Sequence, residues 1–198
     1  MRKLAAALAV AVLLTGCDGG AEGSEGPGRS SVDVDTPELR EQKAAAGIDD
    51  CVPGDGESDL PDLTLPCLGG GPDVTLSERT GPLRGHLWWS GCGPCRNEMP
   101  VLQEFYEQHG EQVGVLGLDV EQYPTYAIGF ADEVDAVYPQ VADPGGTIFD
   151  GEDLRLISAF PQTVFVDADG TVSHIEATEI KTLAELEDLV EEHLEVTL

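Results

Sequence analysis

Cys92-Gly93-Pro94-Cys95 stands between the apolar run Leu87-Trp88-Trp89 and a stretch of helical periodicity reaching about His109. A buried strand feeding a helix through a two-cysteine turn fixes the local architecture as β followed by α. It also places Cys92 at the helix start, where unpaired backbone N–H groups and the helix dipole favour a thiolate. Thiols in that position ionise near pH ~7 or below, against ~8.5 for a free cysteine. Cys95, one turn further in, is shielded and is the less acidic of the two. The pair reads as a redox-active disulfide in which Cys92 attacks a substrate disulfide and Cys95 resolves the mixed disulfide. Two other readings of the motif are an inert closed disulfide and a zinc knuckle. Zinc sites of that kind want a second close pair, and the next cysteines, Cys51 and Cys67, are far apart in sequence. No metal and no cofactor is expected.

The rest of the chain supplies one α/β domain. Of its 198 residues 41% are apolar, enough for a single packed core. A formal charge of -28 repels phosphate backbones and excludes nucleic acid as a partner. Leu60 to Leu65 and Val74 to Leu76 read as short edge strands, and Pro82 to Trp89 leads into a buried one. Val113 to Val120 is apolar nearly throughout, the pattern of a strand covered on both faces. Tyr126, Phe130, Val134 and Val137 follow at helical spacing. Thr163 to Val166, the turn Asp169-Gly170 and Val172 to Ile175 form a hairpin. Thr182 and Glu185 open a last helix as a capping box, with Leu183, Leu186, Val190 and Leu194 on one face. Strands alternating with helices and ending in a hairpin and helix predict an α/β sandwich with a mixed sheet. His109, His174 and His193 have no ligand spacing and are expected at the surface.

The N-terminus is an address. Arg2 and Lys3 precede the apolar stretch Leu4 to Leu14, too short for a hydrocarbon core that takes about 20 residues. Leu14-Thr15-Gly16-Cys17 resembles the lipobox of bacterial lipoproteins, which implies cleavage before Cys17, lipidation of its sulfur and an anchor in the membrane. Asp18 resembles an inner-membrane retention signal, so the expected location is the outer face of the cytoplasmic membrane. The predicted division is residues 1–16 as signal peptide, 17–59 as lipidated cysteine, flexible tether and N-terminal extension, and 60–198 as the folded domain. Within the extension, Pro37 to Gly47 predicts a short helix stopped by its glycine.

The segment His86 to Pro100, HLWWSGCGPCRNEMP, resembles the active-site segment of TlpA/ResA-like thioredoxin-fold disulfide reductases. The resemblance extends over about residues 60–194 and includes Tyr138-Pro139, Asp143-Pro144-Gly145 and Phe160-Pro161-Gln162-Thr163. It implies a thioredoxin-like three-layer sandwich around a central mixed β-sheet. It also implies that Pro161 is a cis-proline facing the cysteine pair, and that Glu98 is a carboxylate beneath the pair assisting its proton traffic. The sequence departs from the family at two points. Gly91 stands where a tryptophan usually precedes the first cysteine, with Trp89 two places earlier. His86 occupies the place of a buried Asp or Asn, where it is either a second proton relay or an ordinary core histidine. Cys51 and Cys67 are expected to form a structural disulfide, with an electron relay to Cys92 and Cys95 as the alternative.

The function implied is that of a membrane-anchored extracytoplasmic thiol–disulfide oxidoreductase, a monomer that reduces disulfides of envelope proteins, as in cytochrome c maturation. Its electrons would come from a thiol-reducing membrane donor. The alternatives are an oxidase or isomerase on the same fold, or a non-catalytic module that binds a metal or a partner.

Overall fold

The computed structural model describes residues 32–151, 154, 156–157 and 159–198. Residues 1–31 lie outside the described part, and with them the signal peptide, Cys17 and most of the tether.

Helix α1 (Pro37–Ala46) begins where the side chain of Thr36 accepts the Leu39 N–H, has Pro37 at its first position, and ends at Gly47 in the left-handed conformation. It packs on α3 (Pro124–Glu133) and buries Leu39 and the stem of Lys43. Val34, Ile48 and Cys51 are buried as well, so the segment from Val34 to Cys51 is part of the packed body.

Strands β1 (Thr64–Leu65) and β2 (Val74–Thr75) form a small antiparallel hairpin. The main sheet has the order β5–β4–β3–β6–β7, from β3 (Leu83–Trp88), β4 (Gly114–Asp119), β5 (Gln140–Ala142), β6 (Gln162–Val166) and β7 (Val172–Glu176). β3 lies at its centre, parallel to β4 and antiparallel to β6, and the sheet is therefore mixed. Helices α2 (Gly93–His109) and α4 (Leu183–Leu194) pack on each other.

The two-residue alternation along each strand separates two apolar clusters. Trp88, Val115, Ala142 and Phe165 face the first, together with the apolar residues of all four helices. Leu83, Leu87, Leu116, Leu118, Val141, Val164 and Val166 face the second, which the β1–β2 hairpin and two 3₁₀ turns, Leu76–Glu78 and Thr147–Phe149, close off. The sheet is the middle of three layers, and the fold is the thioredoxin-like α/β sandwich that the sequence implied.

Three local features go beyond the sequence reading. β5 has only three residues and no periodic signature. α3 ends at Glu133, and its buried face is Ala127, Ile128, Phe130 and Ala131, whereas Tyr126 is 64% exposed. The three histidines expected at the surface all have partners. His109 meets the Glu187 carboxylate at 2.9 Å. The rings of His174 and His193 stack at 3.9 Å between centroids, each within 6 Å of the Phe165 ring.

Candidate active site

β3 ends at Trp88, and four residues later Cys92 begins α2. The Cys92 sulfur accepts the backbone N–H of Cys95 at 3.1 Å, so the cysteine itself is the helix N-cap. Pro94 occupies the first turn, where its missing N–H leaves no bond unmade, and no acidic side chain stands in that turn. Cys92 and Cys95 are joined as a disulfide, with Cys92 6% exposed and Cys95 fully buried. Cys92 is thus the slightly more exposed of the two cysteines.

The antiparallel pairing of β3 with β6 brings the second part of the site to the same edge. Leu87 pairs with Gln162, so Pro161 lies at the end of β3 from which the cysteine turn departs. The Phe160–Pro161 peptide is cis. A second cis bond, Gly81–Pro82, precedes β3 and had no signal in the sequence beyond the proline itself.

Glu98, one turn after Cys95, is fully buried. Its carboxylate accepts the Thr163 hydroxyl at 3.1 Å and the Ile180 N–H at 3.4 Å. Burial pushes its pKa up to about 7, while the charge of Arg84 and those two hydrogen bonds pull the other way. His86 lies beside it, with Nε2 4.0 Å from the carboxylate, and is equally buried. Neither ring nitrogen has a hydrogen-bond partner among the described residues. Burial, reinforced by Arg84, drives the imidazole pKa down to about 3, so His86 is neutral at any working pH.

Gly91 and Trp89 belong together. A Cβ on Gly91 would run into the indole ring of Trp89. The Trp89 ring thus lies over position 91, and a glycine leaves room for it. Trp89 is 41% exposed and lines a groove of about 340 Å³ with Val120, Glu121, Gln122 and Phe160.

Four buried polar residues near this edge were not singled out from the sequence. Arg84 and Asp119 are the charged residues inside otherwise apolar strand runs, which is the signal that was there to read. Asp119 pairs in register with Trp88, and burial raises its pKa well above the ordinary value. Glu121 follows it and accepts the Ser90 hydroxyl. Gln140 accepts the Trp88 indole N–H at 2.9 Å, a contact across three strands that no local pattern announces.

Cys51 and Cys67 form a second disulfide, fully buried at the β5 edge, where Cys67 bridges to Val141. Its residues belong to the second apolar cluster, whereas Cys92 and Cys95 belong to the first. Lys43 extends its ammonium to Asp50, the Gly70 carbonyl and the Cys67 sulfur. No group of three or more acidic, histidine or cysteine side chains among the described residues is arranged to hold a metal ion. No described helix is long and apolar enough to cross a membrane.

Comparison with known proteins places this geometry in context. The family model described as Redoxin matches residues 55–190. A thiol-disulfide oxidoreductase ResA of Oceanobacillus iheyensis is 29% identical over 104 residues, covering 52% of this chain and 53% of that protein. The chain spans about half the length of the ResA relatives it matches. Among solved structures, a secreted thiol-disulfide isomerase of Corynebacterium glutamicum superposes with a TM-score of 0.59 at 23% identity, over 69% of this chain and 86% of that one. A secreted disulfide oxidoreductase of Mycobacterium tuberculosis gives 0.58 at 20% identity, over 68% and 97%. At these identities the two structures establish the fold.

Proposed function

The chain belongs to the Redoxin family, and from that premise we propose that it is a thiol–disulfide oxidoreductase working mainly as a reductant through Cys92 and Cys95. The observation that carries this reading is the cysteine pair itself, with one cysteine at a helix N-cap and 6% exposed, the other fully buried one turn before a buried carboxyl group.

The Cys92 thiolate attacks one sulfur of a substrate disulfide, whose S–S bond breaks and releases the first substrate thiolate. Cys95 then attacks the Cys92 sulfur of the mixed disulfide, the Cys92–Cys95 bond forms, and the second substrate thiolate departs. Two electrons pass from the dithiol to the substrate. For its attack Cys95 gives up a proton, and Glu98 is the group placed to take it. A carboxyl group with a pKa of about 7 accepts and returns a proton at neutral pH with little bias. Neutral His86 adds no charge to that exchange. The exposed Trp89 and the groove beside it offer apolar surface to an extended protein substrate.

The substrates would be oxidised envelope proteins, among them cytochrome c precursors, and the electrons would come from a thiol-reducing membrane partner. The lipobox-like Leu14 to Cys17 supports anchoring on the outer face of the cytoplasmic membrane. Cys51–Cys67 would serve as a structural staple of that exported domain.

The reduction potential of the Cys92–Cys95 pair, measured on a soluble fragment against a glutathione series, tests the direction of transfer. The expected value is about -250 mV or lower, close to thioredoxin's. A value near about -150 mV would mean an oxidant or isomerase instead.

A further inference from the structure

We propose that Arg84 is a positioning residue for this chemistry, a buried guanidinium that holds Glu98 in the ionised form that takes the Cys95 proton. The assignment deepens the oxidoreductase reading above and rests on it.

Arg84 lies in the middle of the central strand and is fully buried. None of its three guanidinium nitrogens has a hydrogen-bond partner among the described residues. Its central carbon stands 5.2 Å from the centroid of the Phe105 ring, a cation–π contact from α2. A buried charge without a hydrogen-bonding counterion is expensive, and a valine or leucine would pack at this position on the strand without that cost. Stability alone is a weak account of the residue, and its charge also acts on its neighbours.

The sheet register shows on what. Arg84 and His86 are two apart on β3 and point to the same face. His86 pairs with Thr163 on β6, and Thr163 donates its hydroxyl to Glu98. Arg84, paired with Phe165, is one same-face rung further from the cysteine turn. The groups whose charges or hydrogen bonds act on Glu98 come from four elements. β3 supplies Arg84 and neutral His86, and β6 supplies the Thr163 hydroxyl. The segment before α4 supplies the Ile180 N–H and the opposing charge of Glu179, and the segment before β5 supplies the Tyr138 phenol. Arg84 is the one cation among them.

During resolution Arg84 neither gains nor loses a proton. The Cys95 proton moves to Glu98, the Cys95 sulfur bonds to Cys92, and the electron pair of the broken bond leaves on the substrate sulfur. With Arg84 present, Glu98 is ionised, and so free to take the Cys95 proton, down to a lower pH, although the carboxylate is then a weaker base.

The test uses Arg84→Met and Arg84→Lys. Carbon-13 NMR of the side-chain carboxyl groups reports the ionisation of Glu98 against pH. In the two-cysteine protein, the rate of resolving a mixed disulfide with a peptide thiol reports the same proton. Arg84→Met is expected to move both midpoints upward by about one unit or more, the effect of removing a close opposite charge. Arg84→Lys keeps the charge and is expected to stay close to wild type. In a Glu98→Gln background, Arg84→Met is expected to change the rate profile less than it does with Glu98 in place. Arg84→Met should also be at least as heat-stable as wild type, because an unpartnered charge has been removed. Superimposable profiles for Arg84→Met and wild type overturn the assignment, and so does an Arg84→Met protein that unfolds. A protein that reduces no disulfide while its Glu98 titration still follows Arg84 refutes the oxidoreductase reading and leaves the electrostatic assignment standing.

Discussion

Glu98 is a fully buried carboxyl group held by two hydrogen-bond donors, and its energetics run opposite to those of a surface glutamate. Burial raises its pKa from 4.5 to about 7. Between those values the folded protein keeps a proton that the unfolded chain has released. The stability from this group is fully present below the unfolded pKa and is lost as pH rises through the folded one. Glu98→Gln preserves the shape and removes the titration. It is expected to stabilise the protein near pH ~8 by on the order of 3 kcal/mol, and to be close to neutral near pH ~4. Denaturant unfolding at the two pH values reads this difference. The same variant is expected to slow mixed-disulfide resolution by about a hundredfold, the lower end of what a positioned general base supplies. At this scale the sequence was informative where a residue has a fixed offset from the cysteines. Glu98 shares the helix face of Cys95 by its spacing, while the neutrality of His86 depends on burial and on a cation two residues away.

The elements that hold the site owe their positions to their ends. α4 begins where Thr182 accepts the Glu185 N–H at 3.2 Å, and Glu185 reaches back to the N–H of Lys181. Ile180, just before this box, directs its own N–H at Glu98. The cap therefore serves both the helix and the roof of the carboxyl site. Thr182→Ala is expected to cost about 1 kcal/mol in unfolding free energy while leaving the reduction potential unchanged. A larger loss, or a shifted potential, would show that the roof depends on more than the cap. Strong end signals and long periodic faces made α2 and α4 legible in the sequence. β5 was not, because a strand of three residues cannot establish a period and its partner β4 lies well back along the chain.

Across the whole molecule the sheet divides the two disulfides between two environments, one in each apolar cluster. Cys51–Cys67 ties the N-terminal extension to the β5 edge across a sequence separation of 16. In the chain-entropy model such a loop is worth about 3 kcal/mol. Replacing both cysteines with alanine is expected to lower stability by about 2–3 kcal/mol and to leave turnover at Cys92 and Cys95 intact. Loss of turnover in a stably folded double variant would instead make the pair an electron relay. The stability change comes from equilibrium unfolding, and the turnover from reduction of a peptide disulfide.

The sequence by itself determined most of the order of strands and helices, the helix caps, the cysteine pair at a strand-to-helix turn and the carboxylate one turn beyond it. Each of these depends on neighbours a few positions away, which periodicity and spacing record. Only the tertiary structure decided that Arg84, His86, Thr163 and Ile180 gather around Glu98, that Trp89 folds over Gly91, and that the extension is sealed to the β5 edge. Those contacts join residues far apart in the chain, or depend on the direction of a side chain and the loss of its water. The burial that moves Glu98 to about 7 and His86 to about 3 belongs to the packed molecule.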